Sequence, residues 1–235
     1  MIMRVGVLFS GGKDSNYALY MAKKKGFDVK CLITLEPEMD DSYMFHFPNI
    51  NLTKLQSKAL EIPIIYYKTK GIKEAELKDL EKAVSYAMQK YKIQGLFSGA
   101  LQSKYQFDRV KAICKKYNLR CFSPLWHINP NNYMQELINN NFKVVIVGIA
   151  AEGLDEKWLG RQLDSQCLKE MSKLNIHQAF EGGEAETFVI DSPIFKKKIE
   201  VIKAEKIMEN KNTGKYIIKE ARLVNKNYSS SILCL

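Results

Sequence analysis

The sequence predicts an α/β protein: a Rossmann-like parallel sheet of five strands, followed by a smaller α+β domain. Three observations point there. Strand and helix patterns alternate over residues 1–127. The strand segments are continuous apolar runs, as expected for strands buried on both faces of a parallel sheet. The first run, Val5-Gly6-Val7-Leu8-Phe9, leads straight into Ser10-Gly11-Gly12-Lys13-Asp14-Ser15, and helix-spaced apolar residues from Tyr17 to Ala22 follow.

The elements follow in order. A helix begins near Asp14, and Val29 to Leu35 is a second strand. An irregular stretch, Glu36 to Asn49, holds Pro37, Asp40, Asp41, Tyr43, His46 and Pro48. Leu52 to Leu60 reads as a helix and Ile62 to Tyr67 as a third strand, with Pro63 near its start. Glu74 to Tyr91 is a long amphipathic helix with Leu77, Leu80, Val84 and Met88 on one face. Gly95 to Ala100 is a short buried strand, Tyr105 to Tyr117 a helix, and Arg120 to Pro124 a fifth strand. Ligands on such sheets sit beyond the carboxyl ends of the strands. That rule brings Ser10–Ser15, Thr34–Asn49 and Ser98-Gly99-Ala100 to one edge.

The character changes near Ile128. Asn129-Pro130-Asn131-Asn132 reads as a turn cluster, Met134 to Asn139 as a helix and Lys143 to Ala151 as a strong strand. Lys157 to Leu174 reads as a helix. Three strands come next, Thr187–Ile190, Lys198–Ile202 and Tyr216–Ile218, with an Asn210–Gly214 turn cluster between the last two. Residues 128–226 form the second domain in this reading, and the serine-containing tail 227–235 is loose.

Composition narrows the function. No run is long and apolar enough to span a bilayer, and the short apolar run before the glycine loop does not read as a signal peptide, so the expected location is cytoplasmic, away from membranes. Five cysteines, an odd count without C-x-x-C spacing, argue against a disulfide framework and a zinc knuckle. The net charge of +10, from 36 basic and 26 acidic side chains, suits an anionic partner. Only five of the basic residues are arginine, the residue that phosphate and base forks favour, which argues against nucleic acid as the principal substrate. A basic face that docks an acidic protein stays open.

The loop Ser10–Ser15 has the residue types that hold phosphate. Its glycines let the backbone approach closely, the helix start offers N–H groups and a partial positive charge, Lys13 adds a full charge, and Ser10 and Ser15 add hydroxyls. It is shorter than the Walker pattern, which places four residues between its first glycine and the Gly-Lys pair. The bland reading is a glycine turn with a solvated lysine. A second informative stretch is Glu181-Gly182-Gly183-Glu184-Ala185-Glu186-Thr187. Three carboxylates in six residues repel one another unless solvated, metal-bound or matched to a cation. The bland reading there is a polar turn before a strand.

These stretches together carry a resemblance. The chain resembles the diphthine–ammonia ligases, in the pyrophosphate-loop branch of the adenine-nucleotide α-hydrolase-like (HUP) superfamily. The resemblance spans roughly Met3 to Leu223. It includes Ser10–Ser15, Tyr43-Met44-Phe45-His46 with Pro48-Asn49, Ser98-Gly99-Ala100, Tyr105, Gln106, Arg109, Pro124-Leu125-Trp126 and Trp158-Leu159-Gly160-Arg161. Glu181-Gly182-Gly183-Glu184 with Glu186-Thr187, then Asp191, Pro193 and Phe195, is its most specific part. Gln102-Ser103-Lys104 departs from it, standing where the family is more often acidic.

The resemblance implies ATP-dependent amidation of diphthine on translation elongation factor 2. ATP activates the diphthine carboxylate as an acyl-adenylate with loss of pyrophosphate, and ammonia then displaces AMP. It makes residues 1–127 an ATP-binding domain and residues 128–226 a substrate-binding one. Ser10, Gly11, Gly12, Lys13, Asp14, Ser15, Ser98, Gly99 and Ala100 would hold ATP, with the adenine also against backbone near Leu32–Thr34. Lys13, Asp14, Glu184 and Glu186 would be catalytic; His46, Gln106, Arg109, Glu181, Glu184, Glu186 and Thr187 would meet substrate. Mg²⁺ is expected with ATP, and Asp14 either holds it or caps the helix. The glutamates face the trimethylammonium of diphthine, or bind ammonium and take its proton. His46 either contacts substrate or packs its loop, and Arg109 meets either a phosphate or a helix carboxylate. Whether the chain forms a homo-oligomer stays open. His127, His177, Trp126 and Trp158 read as structural. The rival functions are a tRNA-modifying pyrophosphate-loop enzyme and a non-catalytic ATP-binding sensor.

Overall fold

The computed structural model describes residues 2–37, 49–69 and 73–226. Its first sheet has five parallel strands in the order β3-β2-β1-β4-β5. These are β1 (Arg4–Leu8), β2 (Asp28–Pro37), β3 (Ile64–Thr69), β4 (Gly95–Phe97) and β5 (Arg120–Phe122). The strands pair in register, for example Val7 with Leu32 and with Phe97. Val5, Val7, Leu32, Leu96 and Phe97 are essentially sealed from solvent, which explains why these strands read as unbroken apolar runs.

Helices cover both faces of this sheet. α1 (Lys13–Lys24) and α2 (Thr53–Leu60) pack on one side; α3 (Lys73–Tyr91) and α4 (Lys104–Lys116) pack on the other. α1 buries Tyr17, Ala18, Leu19 and Ala22, a helical stripe read directly from the residue spacing. α3 turns Leu80, Ala83, Val84 and Ala87 inward, while Leu77 and Met88 lie half-buried at the margin of that stripe. A single 3₁₀ turn, Ile50–Leu52, leads into α2.

The second sheet is antiparallel, in the order β7-β6-β9-β8. Its strands are β6 (Lys143–Ala150), β7 (Ala185–Asp191), β8 (Lys197–Asn210) and β9 (Thr213–Asn225). β8 and β9 form a hairpin far longer than the Lys198–Ile202 and Tyr216–Ile218 strands read from sequence. Most of its added residues are exposed or only half-buried, so they lack the apolar alternation that marks a half-buried strand.

Two further readings need correction. The Asn129–Asn132 cluster is a helix start: α5 runs Pro130–Asn139, Pro130 occupies its first turn, and Asn129 accepts a hydrogen bond from the Asn132 N–H at 3.1 Å. The continuous helix expected over 157–174 is broken. A 3₁₀ turn, Glu156–Trp158, ends at Gly160, whose φ of +79° closes the helical path. The chain then runs beside β6, with the Ile146 N–H bonded to Arg161 O and the Leu163 N–H bonded to Val144 O. Asp164 caps a fresh helix, α6 (Ser165–Met171). Backbone pairing with β6 thus overrides the apolar spacing that suggested one helix.

One apolar cluster runs from the α1–α2 face of the parallel sheet through α5 to the antiparallel sheet. It joins Val5, Leu19 and Leu60 to Tyr133, Ile146, Phe188 and Ile218. A second, smaller cluster lies under α3 and α4. Four cysteines are free thiols, Cys31, Cys114, Cys121 and Cys167, and Cys234 lies outside the described residues. Among the described residues no helix is long and apolar enough to cross a membrane.

Candidate active site

A cleft of about 670 Å³ opens at the carboxyl ends of β1, β2 and β4. Its floor is the turn after β1, with Ser10, Gly12, Lys13, Asp14 and Ser15; Ser98, Gly99 and Ala100 form a second side. Ser103, Tyr105 and Gln106, from the start of α4, continue that side. The opposite wall is Phe180, Glu181, Gly182, Gly183, Glu186 and Thr187, from the turn and first residues of β7. Ile33, Leu35, Leu80 and Val110 make one end apolar.

The glycine turn is held from behind. The Phe9 N–H bonds Ile33 O at 2.8 Å and Thr34 Oγ1 donates to Phe9 O at 2.6 Å, which fixes the strand end. Gly11 has φ of +85°, and a Cβ there would lie 2.6 Å from Gln56 Oε1. Its carbonyl faces the protein, accepting from Asn16 Nδ2, from Gln56 Nε2 and from the Val189 N–H. Gly12 is the N-cap of α1 and supplies no side-chain cap, so the first helical turn carries its positive end toward the cleft. A Cβ on Gly99 would lie 2.7 Å from the carbonyl carbon of Asp14, so that approach of β4 to the helix start needs glycine.

Three contacts lock the turn to the acidic strand. The Lys13 N–H donates to Thr187 Oγ1 at 3.2 Å, the Val189 N–H donates to Gly11 O at 3.0 Å, and Gln56 Nε2 bridges Gly11 O and Val189 O at 2.9 and 2.7 Å. Thr187, expected to meet substrate, lines the cleft while its hydroxyl serves this clamp. Gln56 is fully buried and was not singled out from sequence, because a lone Gln on a helix carries no pattern.

Charge in the cleft is arranged in opposition. Lys13 is 3% exposed; its Nζ lies 2.9 and 3.0 Å from the Asp14 carboxylate and about 6 Å from the ring centres of Tyr133 and Phe180. Tyr133 Oη donates to Asp14 at 2.8 Å. Asp14 therefore does not cap the helix, as one of the two sequence readings had it; its carboxylate is occupied by Lys13 and Tyr133. Tyr133 is wholly buried, and its phenol is driven well above the ordinary value by burial and by the Asp14 charge. Sequence reading missed it because the turn cluster placed the helix start after it.

The carboxylates divide. Desolvation pushes Glu186 up to about 7, with Asp14 and Glu181 adding to the rise and Lys13 opposing it. Glu181 is raised too, chiefly by burial and by Asp14; one of its oxygens accepts from the Gln102 N–H at 3.0 Å. Glu184, expected among the catalytic and substrate-binding groups, turns away from the cleft. It folds back into its own turn, accepting from the His177 N–H and the Gly182 N–H, both at 2.9 Å. Positive φ at Phe180 and Gly183 produces that reversal. His177 Nδ1 accepts from the N–H groups of Ala179 and Glu181, a structural role as expected.

Gln106 lines the cleft, while Arg109 lays its guanidinium 3.3 Å over the Tyr105 ring beside it. Trp126 stacks on Phe107 and Trp158 is buried, so both pack within the protein. His46 lies outside the described residues. Among the described residues, no three His, Cys, Asp or Glu side chains are placed to hold a metal by themselves.

A glycine-lysine turn between a first parallel strand and a first helix, facing a partly buried acidic wall, defines an α/β protein with an anion-binding loop at the carboxyl edge of its sheet. Comparison with known proteins makes this specific. Residues 3–121 match the family model described as the diphthamide synthase N-terminal domain, and residues 129–224 match the one described as the diphthamide synthase C-terminal domain. A Bos taurus diphthine–ammonia ligase is 35% identical, covering 86% of this chain and 84% of its own. The Homo sapiens and Mus musculus proteins of that name are 34% and 33% identical, each covering 88% of this chain and 86% of its own. The chain belongs to the diphthamide synthase family and is a carbon–nitrogen ligase.

Proposed function

We propose that the chain amidates diphthine on translation elongation factor 2, using ATP and ammonia, through an acyl-adenylate that leaves AMP and pyrophosphate. The observation that carries this reading is the meeting of Lys13 and Glu186 in one cleft, with their backbones clamped together through Thr187. Activation and amide formation need both kinds of group within reach of the same carbon.

The residues divide the work as follows. A carboxylate is a poor acyl donor, so one oxygen must become a leaving group. Ser10, Gly12, Lys13, Asp14, Ser15 and the positive end of α1 receive the pyrophosphate portion of ATP, with Gly11 shaping the turn from behind, and Lys13 neutralises charge as it departs. The apolar end, with Ile33, Leu35 and Leu80, takes the adenine against Ser98–Ala100. Mg²⁺ would arrive on the nucleotide, held by its phosphates, because the Asp14 carboxylate beside the turn already accepts from Lys13 and Tyr133. When bound, it supplies further charge neutralisation. Residues 1–127 are thus the nucleotide half, and residues 128–226 bring the acidic wall to the acyl carbon.

Glu186 is assigned the proton. Ammonium has no lone pair, so a base must deprotonate it before attack. A carboxylate raised to about 7 accepts a proton near neutrality, which an ordinary, solvated glutamate does poorly. Glu181, beside the Phe180 ring, faces the trimethylammonium of diphthine. Gln106 completes the substrate side, and Arg109 supports it through Tyr105.

The test is turnover. Purified protein with ATP, ammonium and diphthine-bearing elongation factor 2 should accumulate AMP and diphthamide in equal amounts. AMP formation triggered by tRNA alone would favour a tRNA-modifying enzyme instead. ATP bound but left intact under all conditions would mark a sensor.

A further inference from the structure

The charge of this protein is concentrated in one part of the chain. Between Lys82 and Gln135 stand nine lysines and arginines and a single acidic residue, Asp108, a net of +8 out of the total +10; Lys82 and Lys116 pair with Asp79 and Glu81 just before that segment, which leaves a surplus of +6. That segment comprises the end of α3, then β4, α4, β5 and the start of α5. α3 and α4 share an apolar layer against the sheet, through Leu80, Val84, Val110 and Ile113, and Lys116 joins them by an ion pair to Glu81 at 2.6 Å. Their polar sides are therefore turned outward together. Lys104, Lys111 and Lys115 are exposed along α4, and Arg120 is exposed on β5, the edge strand.

This surface is continuous with the cleft. The residues that open α4, Ser103, Tyr105 and Gln106, line it, and the exposed lysines run back from there. A substrate that is one side chain of a large protein brings its surroundings along. With that side chain inside the cleft, the carrier's surface must lie over the rim where α4 begins and can continue down the outside of α4 toward Arg120, at the amino end of β5. Fields from clustered surface charge steer such encounters and set their orientation.

We propose that the face from Lys104 to Arg120 docks an acidic patch of the protein that carries diphthine. This rests on the function proposed above. The residue types favour protein over RNA. The segment has only two arginines, Arg109 and Arg120, and the Arg109 guanidinium is spent on the Tyr105 ring. Phe107 and Trp126 stack on each other at 4.1 Å, which occupies one face of each of the rings that RNA bases would use as platforms.

The experiment compares the wild type with Lys111→Glu/Lys115→Glu/Arg120→Glu. The control, Lys157→Glu/Lys169→Glu/Lys173→Glu, changes net charge equally at exposed positions elsewhere. Folding of both is checked by thermal melts. Affinity for labelled diphthine-bearing elongation factor 2 and KM for it are measured at about 50 and about 300 mM salt. The α4–β5 variant should bind about tenfold more weakly at low salt, with the gap closing at high salt, and the control should match the wild type. KM for ATP and turnover of a short diphthine-bearing peptide should be unchanged in both. Equal weakening by the control, or no weakening by the α4–β5 variant, overturns the docking face. So does loss of uridine-oligonucleotide binding with protein affinity intact, which would make the face an RNA site. Wild-type protein that binds the factor through this face but never amidates it would overturn the proposed function and leave the docking face standing. Wild-type protein that neither binds nor amidates would overturn both.

Discussion

Glu186 illustrates what burial does to one residue. Its carboxyl is raised from 4.5 to about 7, mainly by desolvation. Between those values the folded chain keeps a proton that the unfolded chain has released. Stability therefore falls as pH rises through that window, and the full cost is present above 7. Glu186→Gln removes the charge that suffers. Urea melts should show the variant more stable than wild type by about 2 kcal/mol at pH 8, a linkage value reduced for partial solvent access, with the gap closing below pH 4.5. The same variant should retain its KM for ATP and lose amidation. Loss of ATP affinity instead would assign the acidic wall to the nucleotide. Sequence alone could not separate Glu186 from Glu184. Both stand in the same acidic run, and only the positive φ at Phe180 and Gly183 turns one back into its own backbone. The glycine loop was legible because its chemistry is local: Ser10 to Ser15 are adjacent in sequence as well as in space. Tyr133 and Gln56 were not, because their partners lie 119 and 45 residues away.

Among elements, β4 delivers the chain very close to the start of α1. The chain beyond Phe97 passes so close to the helix start that a Cβ on Gly99 would lie 2.9 Å from both Asp14 O and Ser15 N. These are backbone atoms of the first helical turn and cannot rotate aside. Gly99→Ala should cost about 1–3 kcal/mol and raise KM for ATP, because the strain falls on the turn proposed to receive phosphate. Gly26→Ala is the contrast: nothing lies within 4 Å of its Cβ, so only its φ of +79° is strained. It should cost about 1 kcal/mol and leave KM unchanged. Denaturant melts and ATP kinetics on both variants check this; equal effects on KM would show that Gly99 is merely a turn glycine. The five parallel strands were readable because each is buried on both faces and so uniformly apolar. The β8–β9 hairpin was read too short, since its outer half packs on little and its charges pair along the ribbon, as Lys219 does with Glu205. The 157–174 segment was misread for the opposite reason. Its apolar residues do face the core, and hydrogen bonds to a distant strand decide its path.

At the scale of the whole molecule, the candidate cleft requires two sheets to hold a fixed relation, and the core supplies it. Val5 and Val7 of β1 and Leu19 of α1 share one apolar cluster with Tyr133, Val144, Ile146, Phe188 and Ile218. Partly or fully buried polar bonds reinforce it: Tyr17 donates to Glu136, Tyr20 to Asn140 at 2.8 Å, and Asn49 pins β9 through Tyr216 O and the Ile218 N–H. Exposing either half alone would open a large apolar face and leave those groups without partners. The halves should therefore unfold in one transition. The two tryptophans allow a direct measurement, since Trp126 stacks on Phe107 beside the first sheet and Trp158 is buried beside the second. In Trp158→Phe, fluorescence follows Trp126; in Trp126→Phe, it follows Trp158. Within each variant, the urea midpoint by fluorescence should coincide with that by far-UV circular dichroism. A separation in either one would mean that the two sheets melt independently. The clamp through Gln56 and Thr187 would then align the cleft only transiently, and the lysine and the glutamate would act on substrate in a moving frame.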